Sequence, residues 1–242
     1  MTPAPGSTDR EIGVIGGVGP LATVYFLDKI VRLTRAERDQ DHLNLVVLQH
    51  SAIPDRTEFV LGRSDEDPGP VMARDARRLA GMGVELIVVP CNTAHHFVRQ
   101  VEAATDVPII SIVAETVAEV ATTRPDVTTI GLLATSGTLD SGVYQHAADA
   151  HGLGVVVPDD ADQDAVMRII YDQVKAGKPV DMELFNGVVE RLLARGAQVV
   201  VLGCTELSVI AEDADLLADP RFVDSLDVLA RRTILRSGHE LV

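Results

Sequence analysis

Cysteine is scarce in this chain, and its first residues do not have the pattern of an export signal. The 242 residues include two cysteines, Cys91 and Cys204, too few for the disulfide framework of a small secreted domain. Residues 1–10 are polar and contain Pro, Gly and Ser, with no basic start before an apolar run, so we expect no signal peptide. We therefore expect a cytoplasmic protein whose thiols stay reduced.

Long apolar runs and an excess of basic charge are also missing. Gly, Pro or a charged residue interrupts every hydrophobic stretch within about eight residues, well short of the roughly 18 that a membrane helix requires. Acidic residues number 36 against 21 basic ones, and the formal net charge is −15. Because such a surface repels phosphate backbones and anionic lipids, we expect neither a nucleic-acid nor a membrane partner.

Apolar sequence is present in short, regularly spaced pieces. Hydrophobic residues make up 46% of the chain, enough to bury the core of one large or two small domains. Aliphatic runs that end at turn-forming residues predict buried parallel strands at 12–15, 43–48, 86–89, 109–113, 130–133, 155–157 and 199–202. Helical spacing predicts helices at 22–34, 70–81, 139–151, 162–176 and 182–196. This alternation predicts an α/β fold.

The two halves of the chain resemble each other. Ile-Gly-Val-Ile-Gly at 12–16 matches Ile-Gly-Leu-Leu-Ala at 130–134, and residues 83–93 match 196–206. The cysteines are 113 residues apart (204 − 91) and the opening strands 118 apart (130 − 12). An internal duplication explains these offsets. Since ligands bind at the carboxyl ends of parallel strands, two such halves would enclose a cleft with one cysteine on each side.

Two thiols at one cleft suit a reaction at a carbon with two exchangeable faces. One group removes a proton from one face while the other delivers a proton to the opposite face. A cysteine between a strand and a helix lies near unpaired backbone N–H groups, which favour the thiolate. The alternative is that both are small buried hydrophobic residues, as free cysteines commonly are. Their duplicated positions at loop exits favour a function.

Three motifs resemble the aspartate/glutamate racemase superfamily, specifically its aspartate racemase branch: Ile15-Gly-Gly-Val-Gly-Pro-Leu-Ala-Thr, Pro90-Cys-Asn-Thr-Ala-His and Leu202-Gly-Cys-Thr-Glu-Leu. Glutamate racemases of cell-wall synthesis carry His where this chain has Glu206, so the aspartate branch fits better. The resemblance implies two pseudo-symmetric flavodoxin-like domains, each a short parallel sheet flanked by helices, with the active site between them. We expect one domain at 1–113 plus 216–242 and the other at 114–215.

By this resemblance the protein is a racemase that interconverts L- and D-aspartate, or less favourably glutamate. Cys91 and Cys204 would be the proton donor and acceptor, and neither pyridoxal phosphate nor a metal would be required. Segments 53–57 and 166–177 are similar to those that hold the distal carboxylate of the substrate, which implies this role for Arg56 and Lys175. Arginine binds a carboxylate as a bidentate fork and lysine as a point charge. Each is otherwise a solvated surface cation. The resemblance also implies a homodimer.

Other polar residues surround the two cysteines in sequence. Hydroxyl, amide and backbone N–H groups in loops that open helices are expected to bind the α-carboxylate, and the candidates are Gly17, Asn92, Thr93, Thr135, Ser136, Thr138 and Thr205. Glu206 is expected either to tune the Cys204 thiol or merely to complement the helix dipole. Adjacent His95 and His96 point in different directions, so a metal pair is not expected.

Other functions remain open from the sequence alone. Residues 17–22, Gly-Val-Gly-Pro-Leu-Ala, fit the Gly-x-Gly-x-x-Ala pattern of an NAD-linked oxidoreductase. However, Gln49, His50 and Ser51 occur where such a site needs a ribose-binding acid. Single-cysteine relatives act as decarboxylases or cis-trans isomerases. A non-catalytic ligand-binding protein would have the same cleft and need neither thiol.

A pyridoxal phosphate enzyme is a further alternative, since it offers another route to racemisation. It would need a Schiff-base lysine. The lysines available in this chain are Lys29, Lys175 and Lys178.

Overall fold

Two four-stranded parallel sheets form the framework of the protein. The structure is a computed structural model that describes residues 10–242. Residues 1–9 lie outside the described residues, and the expectation of no signal peptide falls mostly on them. The strands are β1 Glu11–Gly16, β2 Asn44–Gln49, β3 Leu86–Val88, β4 Ile109–Ile110, β5 Thr129–Leu133, β6 Gly154–Val156, β7 Val199–Leu202 and β8 Phe222–Asp224.

Helices connect and cover these strands. The α-helices are α1 Pro20–Leu33, α2 Arg56–Val60, α3 Gly69–Gly81, α4 Val98–Glu102, α5 Ile112–Thr123, α6 Ser136–Ser141, α7 Val143–Asp149, α8 Asp160–Arg168, α9 Met182–Ala194, α10 Thr205–Asp213 and α11 Ser225–Arg236. Short 3₁₀ turns occupy Asp39–Asp41, Thr93–Phe97 and Leu216–Ala218, and a π-helical turn occupies Ile169–Val174. No helix within residues 10–242 is long and apolar enough to cross a membrane.

The two sheets repeat one topology. Their strand orders are β2-β1-β3-β4 and β6-β5-β7-β8, and every pairing is parallel. Central strands bury both faces, as parallel sheets require: Leu86 and Val88 of β3 enter one core cluster, whereas Ile87 enters another. The predicted fold class, two α/β halves each built on a short parallel sheet, is confirmed.

The last helix of each half packs over the other half. Helix α5 follows β4 of the first sheet but contacts α7 and β8 of the second, and α11 follows β8 but contacts α1 and β4. One large core cluster therefore includes residues from both sheets, for example Val14 and Val201, while a smaller cluster lies on the outer side of each sheet. The predicted division into 1–113 plus 216–242 and 114–215 stays a prediction: α11 lies on the first half, whereas β8 pairs with β7 of the second.

Three predicted elements differ in the structure. The helix expected at 139–151 is two short helices, α6 and α7, because Gly142 between them has a left-handed backbone with φ of 67°. The helix expected at 162–176 begins as α8 and continues as the π-helical turn. The strand expected at 109–113 stops at Ile110, because the Ser111 side chain accepts a hydrogen bond from the backbone N–H of Ala114 and starts α5.

Candidate active site

The two cysteines line one small cavity between the halves. Cys91 follows β3 and Cys204 follows β7, and both are buried, with 7% and 6% exposure. We call this space the inner cavity; its free volume is about 20 Å³, room for roughly one water molecule. Thiols from matching positions of the two repeats thus face the same enclosed space.

Two cations also line the inner cavity, one from each half. Arg56 is the first residue of α2, which the side chain of Asp55 caps by accepting hydrogen bonds from the backbone N–H groups of Thr57 and Glu58. Its Nη1 donates to the carbonyl oxygens of Ile53 and Pro54 at 3.2 and 2.9 Å. Its Nε is buried and has no hydrogen-bond partner among the described residues. The guanidinium is therefore held at one end and able to donate at the other.

Lys175 enters the inner cavity from the other half, directly after the π-helical turn. Its Nζ lies 4.0 Å from the centroid of the Tyr171 ring and 4.0 Å from Glu206 Oε1. Burial lowers the pKa of Lys175, but the negative charges around it, Glu206 first, raise it by more, so the ammonium stays charged. Single π-helical turns are frequent at functional sites, and here the turn brings Tyr171 and Lys175 to one wall.

Threonine hydroxyls form a buried cluster where the halves meet. Thr93 Oγ1 lies 3.0 Å from Thr135 Oγ1 and 2.8 Å from Thr138 Oγ1. Thr57 donates to Thr135 at 3.3 Å. Gly137 makes this approach possible, because a Cβ there would lie 2.8 Å from Thr57 Cα. The cluster fixes α2 against α6 and gives the inner cavity a wall of hydroxyls.

Asn92 lies beside Cys91 and connects three elements through its amide. Its Nδ2 donates to Ser225 Oγ at 3.0 Å, and its Oδ1 accepts from the Tyr144 hydroxyl at 2.7 Å. Ser225 in turn donates to the Leu202 carbonyl at 2.8 Å. The Asn92 side chain is thus held by protein groups, so it stabilises the loop that carries Cys91.

Cys204 has a carboxylate partner. Its thiol donates a hydrogen bond to Glu206 Oε2 at 3.0 Å. Burial raises the pKa of the Cys204 thiol well above its usual value, and the Glu206 carboxylate raises it further, whereas the Lys175 ammonium lowers it. This surrounding favours the neutral thiol of Cys204.

His95 lies behind Cys91 and acts on the backbone. Its Nε2 accepts a hydrogen bond from the Ile112 N–H at 3.3 Å, which leaves Nδ1 to donate to the Cys91 carbonyl at 2.9 Å. Burial lowers the pKa of His95 to about 4, so the ring is neutral at pH 7. It fixes the Cys91 loop to the start of α5.

Most of the residues expected around the substrate come together. Those on the inner-cavity wall are Arg56, Cys91, Asn92, Thr93, Thr135, Lys175, Cys204, Thr205 and Glu206. Thr138 and Ser136 are not on this wall. Thr138 is fully buried in the hydroxyl cluster, and the Ser136 backbone N–H donates to Met167 Sδ while its Oγ accepts from Gln163. Both lie behind Thr135, where they support the wall.

Gly17 belongs to a neighbouring, more open space, which we call the outer cavity and which Gly19, Leu21, Ser51, Lys175 and Glu206 also line. Gly17 has a φ of 84°, and a Cβ there would lie 2.4 Å from the His50 carbonyl carbon. The glycine is therefore needed for contact with the loop after β2, which fills the space beside it.

Four residues of the inner-cavity wall were not predicted from the sequence: Val18, Asp55, Thr57 and Tyr171. Asp55 stands just before Arg56 and has the N-cap signature of a helix, which could have identified it. Tyr171 precedes Lys175 by one helical turn, a spacing that brings side chains to one face. Val18 and Thr57 carried no signal of their own.

Within residues 10–242, no group of three or more His, Cys, Asp or Glu side chains is arranged as a metal site would require. His96 is exposed, whereas its neighbour His95 is buried. This agrees with the expectation that the two side chains point in different directions.

Comparison with known proteins now identifies the family. A match to the Asp/Glu/hydantoin racemase family covers residues 15–233. The chain belongs to this family. The racemase fold is shared with the aspartate racemase of Picrophilus torridus, which superposes with a TM-score of 0.80 at 28% identity over 96% of both chains. This likeness supports the aspartate racemase branch of the family.

Two relatives extend the comparison of this racemase family member. The broad specificity amino-acid racemase RacX of Bacillus subtilis is 26% identical over 232 residues, which cover 92% of this chain and 96% of that protein. The glutamate racemase of Deinococcus radiodurans is 34% identical in an alignment of length 245, which covers 96% of this chain and 76% of that protein.

Proposed function

We propose that this family member interconverts the L- and D-enantiomers of an acidic amino acid, aspartate first and glutamate second, with Cys91 and Cys204 as acid and base. One observation carries the proposal: two cysteines from matching positions of a repeat line one small cavity together with two cations. Racemisation needs a proton acceptor and a proton donor on either side of one carbon. A duplicated half-site supports such a pair.

In the proposed complex, the side-chain carboxylate binds between Arg56 and Lys175. Arg56 Nε, which has no hydrogen-bond partner among residues 10–242, is available for this contact, and charge-assisted hydrogen bonds are the strong ones. The α-carboxylate binds the hydroxyl of Thr135 and the backbone N–H groups at the start of α10, near Thr205. These contacts would hold the α-carbon between the two sulfur atoms.

The proposed reaction is a pair of proton transfers. The thiolate of one cysteine takes the α-proton, so the C–H bond breaks as an S–H bond forms. The thiol of the other cysteine gives its proton to the opposite face, so its S–H bond breaks as a new C–H bond forms. The carbanion needs preorganised donors around the α-carboxylate, and the fixed hydroxyl cluster suits that task. Each turnover exchanges the protonation states of the two thiols.

Aspartate is proposed first for two reasons. The structural neighbour with the TM-score of 0.80 is described as an aspartate racemase, and the inner cavity is small and carries two cations. Glutamate is proposed second because a glutamate racemase and a broad specificity racemase are among the relatives.

Other activities find less support in the site. A decarboxylase or cis-trans isomerase of a dicarboxylate, the alternative within the superfamily, needs one thiol, whereas this cavity has two. A dinucleotide would have to approach the loop of Gly17, where the His50 and Ser51 backbone already lies against the glycine. A non-catalytic binding protein would need neither Cys91 nor Cys204.

The proposal includes independence from pyridoxal phosphate. In the inner cavity Lys175 lies beside Glu206 with its pKa raised, whereas a lysine that forms a Schiff base needs a neutral amine. A cytoplasmic location and a homodimer also belong to the proposal.

The test is racemisation without added cofactor in deuterated water. Each enantiomer of aspartate and glutamate is incubated with purified protein, while optical rotation and α-hydrogen exchange are followed by circular dichroism and proton NMR. We expect aspartate to lose its rotation as its α-position gains deuterium. A double variant with Cys91→Ser and Cys204→Ser is the control, and we expect it to do neither. Absence of rotation loss and of exchange with both amino acids would contradict the proposal.

A further inference from the structure

Glu206 faces two spaces at once. Its carboxylate lines the inner cavity together with both thiols, and it also lines the more open outer cavity. The residue is 7% exposed, so it forms part of the partition between the two cavities. Cys91 and Cys204 line the inner cavity and are not part of the outer-cavity wall.

The two oxygens of Glu206 have different neighbours. Oε2 accepts the hydrogen bond of the Cys204 thiol at 3.0 Å, and Oε1 lies 4.0 Å from Lys175 Nζ. On the outer-cavity side, Gly19 leaves room for the carboxylate, because a Cβ on Gly19 would lie 3.0 Å from Oε1. A continuous polar path therefore runs from the Cys204 sulfur through Glu206 to the open space.

The other half has a different residue at the matching position. With the offset of 113 between the cysteines, Glu206 corresponds to Thr93. The Thr93 hydroxyl is engaged with Thr135 and Thr138. Among the described residues, no carboxylate makes a hydrogen bond to Cys91 Sγ, and His95 behind it contacts only backbone groups. The polar path to the outer cavity is thus a feature of the Cys204 side.

A two-thiol racemase has to restore its protonation states between turnovers. After Cys91 has removed the α-proton and Cys204 has delivered its own, Cys204 is a thiolate and Cys91 a thiol. The next molecule of the same enantiomer needs the opposite arrangement. Cys204 is buried, so its new proton must come through a neighbouring group.

We propose that Glu206 is a proton relay that returns a proton from solvent to Cys204 between turnovers. This inference rests on the proposed racemase function. A water molecule in the outer cavity gives a proton to the Glu206 carboxylate, so a water O–H bond breaks and a carboxyl O–H bond forms. The carboxyl group then protonates the Cys204 thiolate and becomes a carboxylate again. The hydroxide leaves to solvent, where the proton released by Cys91 neutralises it.

The charged groups that face Glu206 come from two parts of the fold. The Lys175 ammonium faces it from the end of the π-helical turn, and Arg56 and Asp55 face the same cavities from α2 and its N-cap. The raised pKa of Cys204 makes its thiolate a strong acceptor for the relayed proton. Glu206 acts through Cys204 and is therefore a positioning residue.

The test compares single and multiple turnovers in Glu206→Gln, which keeps the size of the side chain and removes its ability to carry a proton as an acid. With enzyme in excess, the first turnover needs no relay. With substrate in excess, every later turnover does. We expect the multiple-turnover rate to fall about 100-fold, as for the loss of an acid–base group, and the single-turnover rate to fall much less.

Asp213→Asn is the matched control, because Asp213 is an exposed carboxylate at the end of the same helix, α10. We expect it to change neither rate. Equal losses in both rates for Glu206→Gln would overturn the relay, since they indicate a role in chemistry or structure. An unchanged multiple-turnover rate, or the same loss in Asp213→Asn, would also overturn it. If the parent protein racemises neither acid, the proposed function fails and the relay with it.

Discussion

The two cysteines occupy matching places in a repeated fold, yet their surroundings differ. Cys204 donates a hydrogen bond to Glu206 and has a raised pKa. Cys91 follows an identical kind of strand, but its neighbour at the matching position is Thr93, whose hydroxyl belongs to a neutral buried cluster. The repeat determines where the sulfur atoms lie, whereas single residues beside them determine the hydrogen bonds and charges around each sulfur. The two halves therefore share one topology, whereas the surroundings of their two cysteines differ.

The two halves also differ four residues after each cysteine. His95 in the first half corresponds to Ser208 in the second, by the offset of 113. His95 bonds the backbone of Cys91 and Ile112, whereas Ser208 donates to the Asp224 carboxylate at 2.5 Å. Among the buried groups with a shifted pKa are therefore a base, His95, in the first half and an acid, Asp224, in the second. Their effects on stability should have opposite signs.

The largest expected effect comes from removing one thiol at a time. We expect Cys91→Ser and Cys204→Ser each to lower racemisation about 10²–10⁴-fold. Each variant keeps a thiol on one face, so it should still exchange the α-hydrogen of one enantiomer with solvent. The two variants should act on opposite enantiomers. Proton NMR of L- and D-aspartate in deuterated water measures this exchange.

Two outcomes would contradict this expectation. One is a single variant that interconverts the enantiomers at the parental rate. The other is exchange of the same enantiomer by both variants, because the two sulfurs would then face the same side of the substrate.

The next effect concerns acid stability in the first half. Burial lowers the pKa of His95 to about 4 from its usual 6.5. The neutral ring thus stabilises the native state above pH 6.5, and this contribution is lost as the pH falls toward 4. The difference between a pKa of 6.5 in the unfolded chain and about 4 in the native state corresponds to ~3 kcal/mol in the free energy of unfolding.

Urea unfolding at pH 7 and pH 4 tests this expectation for His95. The free energy of unfolding of the parent protein should fall by ~3 kcal/mol more than that of His95→Gln over this interval. Equal pH dependence in the two proteins would show that His95 is not the group concerned.

Asp224 in the second half should act in the opposite direction and slightly more weakly. Burial raises its pKa to about 6 from 3.8, although the hydrogen bond from Ser208 and the charge of Lys29 oppose the shift. The native state therefore binds this proton more tightly than the unfolded chain. Its stabilising effect is present below pH 3.8 and is lost as the pH rises through 6, by up to ~3 kcal/mol.

Asp224→Asn removes this dependence while it keeps the size of the side chain. Between pH 4 and pH 6, we expect the variant to gain stability relative to the parent protein as the pH rises, in the same urea unfolding measurement. A relative loss of stability over this interval would mean that the buried carboxyl has the opposite preference.

The framework of this fold was predictable because its strands bury both faces. Runs such as 199–202 are aliphatic throughout, which parallel strands between two layers of helices require. The repeat was visible because turns and strand ends constrain the sequence on both halves. By contrast, β8 is three residues long, Phe222–Asp224, and a pattern this short carries no periodicity. The exchange of α5 and α11 depends on contacts distant in sequence; the expected boundaries, 1–113 plus 216–242 and 114–215, place α11 with the first half and nearly all of α5 with the second.

The site was predictable at its centre and less so at its margins. Cys91 and Cys204 stood out by their repeated position, and the family resemblance pointed to Arg56 and Lys175. The wall behind them depends on local geometry: Thr135 caps α6 and turns Thr138 into the hydroxyl cluster instead of the cavity. Tyr171 reaches the cavity from a π-helical turn, which the helix expected at 162–176 did not predict.

The crossed packing of α5 and α11 resembles a domain swap closed within one polypeptide. Neither half has a complete interior of its own, because its last helix covers the other half. A fragment ending after α5 would expose the apolar face of that helix, and the intact chain should melt as one unit instead of two. The distance between the carboxyl ends of β3 and β7, which the two cysteines follow, is thus set by buried side chains.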